Sequence, residues 1–479
     1  MPATDCRTAA SGMAWSGGTF SARWRPDLGV AAADAALSAA DADLPKHCSF
    51  AVVGAGWSGA YAAWRLAVDT SSVNASSVCV FEANGRVGGR IFSVHGLPSF
   101  ADLAVDVGGY RFQTRQRLPA DLVFFALKLP TQCYDWECAA KCEGTTCYVV
   151  KDAFGNNAGY ATAIETMLGQ VEAAGGPGRQ VHLAARLTSI EAAPAAGRAA
   201  SRLIFAGGRS VTASKVLLNL PSNAIEYLSR DSTLLGSSSA AVRRLLGAVT
   251  TIPMVKVYAW YDDAWWSTKL GLMEGAFTAA TDGAPLEGRY HDGPQRCVVG
   301  RDTAGDPVYS GKKIAYGNCS GALEVYYGIA RPYYAKLMPS PLQPLTVATR
   351  GTSSLAAAQL IGDVHAALMA RHAKALASAG VAPGAVSPPQ TVVLANWISA
   401  GRYTPGIGRL LGGDLDRALL RKPLPDYDLF LANQDFGYET GWAAGSLAMA
   451  EKVLQAELGL PAPRWLDAEW YEKRVVAEP

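Results

Sequence analysis

The chain has 479 residues, of which 49% are hydrophobic, and its 43 basic side chains nearly balance 41 acidic ones. That length is too great for one compact core, so two or three packed units are expected. A net charge of +2 gives no electrostatic footing for nucleic acid or an anionic membrane, and no apolar run approaches the roughly 20 residues of a membrane span.

Residues 1–46 form a compositional zone of their own, rich in Ala, Ser, Gly and Asp and without a strong period. They read as a poorly ordered tail. No apolar segment follows a basic start, so no signal peptide is visible, and Asp5, Asp27, Asp34, Asp41 and Asp43 argue against an organellar transit peptide. The apolar run Ser49–Val53 then reads as a strand. It ends in Gly54-Ala-Gly56-Trp-Ser58-Gly59, and Ala60–Leu66 continues with helical periodicity. Val78–Phe81 reads as a second strand and closes on Glu82.

Each part of this βαβ series has a physical task. Gly54 permits the tight turn, Gly56 lets a diphosphate approach the backbone, and Gly59 lets helix and strand pack closely. The helix N-terminus offers its amides and the positive end of its dipole to the phosphates. Glu82, about 20 residues beyond, is placed to accept hydrogen bonds from a ribose, and its charge disfavours a 2′-phosphate. The series defines a dinucleotide site without separating FAD from NAD. Glu82-Ala83-Asn-Gly-Arg86-Val-Gly-Gly89-Arg90 adds a second loop for the diphosphate, with Arg86 and Arg90 as counter-charges.

Further along, Cys133, Cys138, Cys142 and Cys147 cluster with C-x4-C-x3-C-x4-C spacing and no nearby His. Zinc is not expected from that pattern, and no metal centre is assigned. The cluster, with Cys297 and Cys319 as another candidate pair, reads either as disulfides or as free thiols of a reducing compartment. With sequons at Asn74 and Asn318, the balance leans to an extracellular or lumenal location. Lys215–Pro221 is a buried strand closed by proline. Lys256 interrupts the apolar run Thr251–Trp266, which is costly unless the amine has a partner or faces solvent at a sheet edge. Ala373–Ala379 reads as helix and Ala192–Ala200 as a turn.

Taken together, these motifs resemble the flavin-containing amine oxidases, nearest to L-amino-acid oxidases. The resemblance is patchy over 48–457 and strongest at 50–115, 181–225, 251–266 and 391–455. Asp106-Val-Gly108-Gly109 is similar to the segment that passes the flavin ring, and Val181–Ile190, including Leu187, to the strands near the adenine. Asp428–Asp435 and Gly441–Leu454 resemble the last strand and the helix aimed at the flavin. Asn433-Gln434 stands where the family commonly has Gly-Glu.

The resemblance implies an α/β protein with a Rossmann-like, discontinuous GR2-type FAD domain at 47–115, 176–225 and 390–457. It further implies a helical insertion with the cysteine cluster at 116–175, an α+β substrate domain of mixed sheet and helices at 226–389, and a C-terminal tail at 458–479. FAD would be non-covalent, because Arg402 stands where monoamine oxidases attach flavin through Cys. Cofactor contacts are implied for Gly54, Gly56, Ser58, Gly59, Glu82, Ala83, Arg86, Gly89, Arg90, Gly108, Gly109, Tyr110, Arg111, Leu187, Pro221, Trp397, Gln434, Gly441 and Trp442. The family places the equivalent of Lys256 near flavin N5, and Tyr403 and Trp442 fall at the aromatic cage. Arg111 matches the arginine that grips a substrate carboxylate, with Arg115 and Arg117 as competitors. Tyr326 matches a second carboxylate contact, with Tyr327 competing. The activity implied is oxidative deamination of L-amino acids by FAD and molecular oxygen, giving 2-oxo acid, ammonia and hydrogen peroxide. Alternatives are an amine or polyamine oxidase and a non-catalytic flavin-binding protein. Homo-oligomerisation stays open.

Overall fold

A computed structural model describes residues 44–477 except 71–72, 97–102, 135–146, 153–154, 194–199, 281–282, 312, 338–343, 399–406, 411–416 and 438–440. The expected N-terminal tail, apart from its last three residues, lies outside them, as do Cys138, Cys142, Arg402 and Tyr403.

The chain opens with strand β1 (His47–Val53), helix α1 (Trp57–Trp64) and strand β2 (Val78–Phe81). Helix α2 (Ala161–Gly175) leads to β3 (Val181–His182), β4 (Leu187–Ala193), β5 (Ala200–Phe205) and β6 (Ser210–Leu218). The order in the sheet is β3-β2-β1-β6-β5-β4. β1 runs parallel to β2 and β6, whereas β4, β5 and β6 form an antiparallel meander. Val52, Val80 and Leu217 face one core while Ala51, Val53, Phe81, Val216 and Leu218 face the other. Burial on both faces is why these strands read as unbroken apolar runs rather than alternating ones.

Helix α3 (Ser222–Asp231) leaves this sheet and a second sheet begins at β7 (Met254–Tyr261). β7 lies between the antiparallel strands β8 (Cys319–Ile329) and β9 (Thr391–Trp397), and helix α4 (Leu355–Ser378) precedes β9. Val255, Val257 and Ala259 pack with Leu360, Val364 and Leu368 of α4. The alternate residues Tyr258 and Trp260 share a core with Phe92, Val94, Val105 and Val107 of the first unit. Lys256 has the parity of that second set, so the two-residue period of the strand carries it to the junction of the two units. The chain then returns through β10 (Leu429–Leu431), which pairs parallel with β6, and helix α5 (Ala443–Ala456) packs on α1.

Among the described residues of 116–175, helical segments at Arg117–Asp121, Leu122–Ala126 and Ala161–Gly175 flank two short strands, Thr131–Cys133 and Cys147–Val150, which pair in a small antiparallel sheet with Phe112–Gln113. Cys133 is disulfide-bonded. One sequence expectation needs correction: residues 458–477 are not a tail. Leu460, Leu466, Tyr471 and Val475 are buried in the first core, and the Tyr471 hydroxyl donates to Glu451, which also pairs with buried Arg65.

Between described residues, disulfides join Cys48 to Cys79 and Cys297 to Cys319. The second is the pair anticipated from sequence. The first links neighbouring strands β1 and β2, an adjacency that cysteine spacing could not reveal. No helix among the described residues is long and apolar enough to cross a membrane.

Candidate functional site

One long cavity runs from the first glycine turn to the face of β7. At the glycine end the wall is backbone. Gly54 has φ +97°, and a Cβ there would lie 2.4 Å from the Asn219 carbonyl oxygen. A Cβ on Gly59 would lie 1.9 Å from the Gly54 carbonyl oxygen, so α1 can approach β1 only without a side chain at that place. Gly56 differs. A Cβ on it would meet no protein atom nearer than 3.4 Å, yet the residue lines the cavity. The protein itself does not demand glycine there; a ligand passing close to the backbone does.

Helix α1 has no side-chain cap and no acidic residue in its first turn. Helix α5 is likewise uncapped, and its first residue Ala443 lines the same cavity with Trp442 and Gly441. Two helix N-termini with unsatisfied amides at one cavity suit a ligand carrying negative charge at two places along its length. Glu82 is buried at the end of β2. Its carboxylate accepts from the Ala55 amide at 2.9 Å and from the Asn84 amide at 2.9 Å, which fixes it at the cavity wall. Ala83 and Leu187 line the cavity nearby, as do Gly89, Gly108, Gly109, Pro221 and Gln434 farther on.

Several expected contacts have other tasks. The Ser58 hydroxyl faces away from the cavity and bonds Asn219 and the Ala432 carbonyl, tying α1 to the ends of β6 and β10. Arg86 donates to the Val87 and Gly89 carbonyls and stacks over Phe92 at 3.9 Å, so it shapes the loop rather than facing the cavity. Arg90 does line the cavity, held by Asp435 at 3.0 Å and by Asn433 at 3.2 Å. Asp435 is fully buried and also accepts from the Ser222 amide. Asn219 donates to the Gly54 carbonyl at 3.0 Å. Neither Asn219 nor Asp435 was anticipated. Both sit just past the ends of β6 and β10, where ligands of open α/β sheets bind, and that position was the signal available.

At the other end the wall is side chain. Lys256 is 1% exposed, with Nζ 3.6 Å from the Tyr110 ring centre and 5.0 Å from that of Tyr327. Among the described residues its Nζ has no hydrogen-bond partner, and Glu324 Oε2 is 3.8 Å away. Burial outweighs the attraction of Glu324 and Asp106 and pulls the amine down to about 8. Trp397 lines the cavity and donates from its indole to the Val107 carbonyl at 2.8 Å.

Arg111 lines the cavity between the rings of Tyr110 and Tyr134, at 4.9 and 4.5 Å. Arg115 and Arg117 do not line it. The first donates to Gln113 and the second pairs with Asp121. Tyr326 is a misassignment. It packs in the core under α4 and its hydroxyl donates to the Ile329 carbonyl, whereas Tyr327 lines the cavity. The register explains this: Lys256 lies opposite Tyr327, Val257 opposite Tyr326, and a bulge then sets Tyr258 opposite Glu324. The extra residue returns Glu324 to the face of Lys256.

The fold and cavity define an α/β dinucleotide-binding protein, and residues 52–121 match the model of the NAD(P)-binding Rossmann-like domain. Over 67 residues the chain is 44% identical to achacin of Lissachatina fulica, a match covering 14% of this chain and 12% of achacin. The stretch 52–121 holds the glycine turn, Glu82, Arg90 and Arg111, and both matches are short against the whole chain.

Proposed function

We propose that the protein is an oxidase that uses non-covalent FAD to convert L-amino acids to 2-oxo acids, with release of ammonia and hydrogen peroxide. Arg111 carries the reading. Its guanidinium is half-buried at the cavity and, among the described residues, makes no hydrogen bond and no ion pair. Asp292 acts on this guanidinium through space without bonding it, so its N–H donors can meet an anion in the cavity, and a carboxylate matches them in shape and charge.

The residues present fit FAD. The bare backbone at Gly56, the carboxylate of Glu82 and the two uncapped helix ends match a dinucleotide with a diphosphate in its middle. Ala83 and Leu187 would flank the adenine end, Arg90 the diphosphate, Gln434 and Trp397 the flavin end. Domains follow as a GR2-type FAD domain at 47–115, 176–225 and 390–457 and a substrate domain at 226–389. Bound flavin supplies the hydride acceptor, and molecular oxygen restores it.

The protein's own part is to bind, orient and desolvate. Arg111 grips the carboxylate, with the Tyr327 hydroxyl beside it. Trp442, at the cavity wall, helps to exclude water. Lys256, with its lowered proton affinity, is neutral in part near pH 8 and so can hold the proton given up by the substrate's ammonium. The disulfides suit an oxidising compartment, outside the cell or in a lumen.

The test is a peroxide-coupled assay against L-amino acids and against amines that lack a carboxylate. Turnover of amino acids, with Arg111→Ala raising KM far more than it lowers kcat, supports the proposal. Turnover of benzylamine or putrescine that is indifferent to Arg111→Ala would reassign the substrate class. Bound flavin that no amine bleaches anaerobically would leave a binding protein without catalysis.

A further inference from the structure

We propose that Asp292 and Glu324, which lie behind the cavity wall, hold one proton between them and set the charge on Lys256. The part of this that concerns Lys256 in turnover rests on the oxidase reading; the shared proton does not.

Both carboxyl groups are fully buried. Glu324 Oε2 accepts from the Tyr258 hydroxyl at 3.4 Å, and Asp292 Oδ2 accepts from the Tyr110 hydroxyl at 3.2 Å. Among the described residues their other oxygens, Glu324 Oε1 and Asp292 Oδ1, meet no donor, while the two groups lie in hydrogen-bonding contact with each other. Two ionised carboxylates are acceptors only and repel. Contact between them in a dry site requires a proton on one. Burial and the neighbouring Glu324 accordingly push Asp292 well above the usual carboxylate range.

The surroundings fix what that proton does. Lys256 on β7, Arg111 on the 106–111 segment, Arg289 at the end of the Leu286–Arg289 strand and Lys313 all face the pair. Arg289 reaches Asp292 only at 3.8 Å and is partly exposed. Lys313 is buried, donates to the His291 carbonyl and is lowered to about 7 by burial and by Lys151. His291, burial-lowered to about 4, is neutral at physiological pH. Tyr110, Tyr258 and Tyr327 are pushed up by burial and stay protonated. Asp106 and Glu274 are the other acids within reach of these lysines. A pair with one proton presents one negative charge to Lys256. With none it would pin the ammonium, and with two it would leave the amine without a counter-charge. Neither acid lines the cavity, so they are positioning residues. The Tyr110 hydroxyl, 3.3 Å from that of half-buried Tyr134, connects the pair toward the outside.

The infrared spectrum of the purified full-length protein near pH 8 decides the first half. A protonated carboxyl has a C=O stretch clear of the amide and carboxylate bands. One such band should be present in the wild type and lost in Asp292→Asn, while in Glu324→Gln burial alone keeps Asp292 protonated and the band should stay but move as its partner is lost. Absence of any such band from the wild type, its survival in Asp292→Asn, or a band at the wild-type position in Glu324→Gln overturns the proposal. The reading needs neither flavin nor turnover, so colourless protein would sink the oxidase assignment and leave the acid pair standing. The pH dependence of anaerobic flavin bleaching by an L-amino acid decides the second half. Glu324→Gln removes the negative charge beside Lys256 and should move the rising limb to lower pH by about one unit. Asp292→Asn leaves the pair's negative charge undivided beside Lys256 and should move it to higher pH. Shifts of the same sign, or none, would show that Lys256 does not respond to the pair.

Discussion

At the glycine end of the cavity the protein meets its ligand with main chain; at the β7 end it does so with buried side chains. The first wall is made by Gly54, Gly56, two helix ends and one carboxylate held by amides. Its parts lie close together in sequence, because a turn between a strand and a helix is a local object. The second wall takes Tyr110 and Arg111 from one segment, Lys256 from β7, Tyr327 from β8 and Trp397 from β9. Each comes from a different strand or loop, and what unites them is register. A site of backbone therefore leaves a motif, while a site of side chains leaves a lysine in an apolar strand and little else.

The largest expected effect lies at the first wall. Gly59→Ala would put a Cβ 1.9 Å from the Gly54 carbonyl oxygen. The overlap costs about 1–3 kcal/mol or more, and the variant should lose bound flavin as well as thermal stability, read by absorbance and a melting curve. Gly56→Ala contrasts with it. The space around it is open, so the melting temperature without flavin should hold while flavin affinity falls. Equal loss of stability in both variants would mean that Gly56, too, is there for packing alone.

At the second wall, Arg111→Ala should cost about 2–4 kcal/mol of binding for a carboxylate substrate, seen as a KM raised by roughly two orders of magnitude, with little change in melting temperature. Lys256→Met should take the rising pH limb out of flavin reduction and slow reoxidation by oxygen, measured in separate half-reactions. Unchanged oxygen kinetics would remove Lys256 from that step. The smallest effect distinguishes the neighbouring tyrosines. Tyr326→Phe should lose about 1 kcal/mol of stability with its bond to the Ile329 carbonyl and leave kinetics intact. Tyr327→Phe should do the reverse.

These contrasts also explain what was legible beforehand. The strand–glycine–helix–strand–acid series was readable because each residue type answers a local demand. Lys256 was readable as a charge in an apolar strand, and Arg111 only through the resemblance to L-amino-acid oxidases. Tyr326 was taken over Tyr327 from that same resemblance over 321–326, and only the pairing register of β8 with β7 separates the two. Asp292 and Glu324 were not read at all, since nothing near either in the chain says that the other lies beside it. Ser58 and Arg86 belong to the motif but serve the fold of the loop, which a motif cannot distinguish from contact with the ligand.

The central claim is that this cavity holds FAD, and the absorption spectrum of the purified protein tests it most directly. The expected result is a flavin spectrum and, on heat denaturation, release of intact FAD at about one per chain. Protein that is colourless, and takes up no flavin when incubated with an excess of FAD, would contradict it.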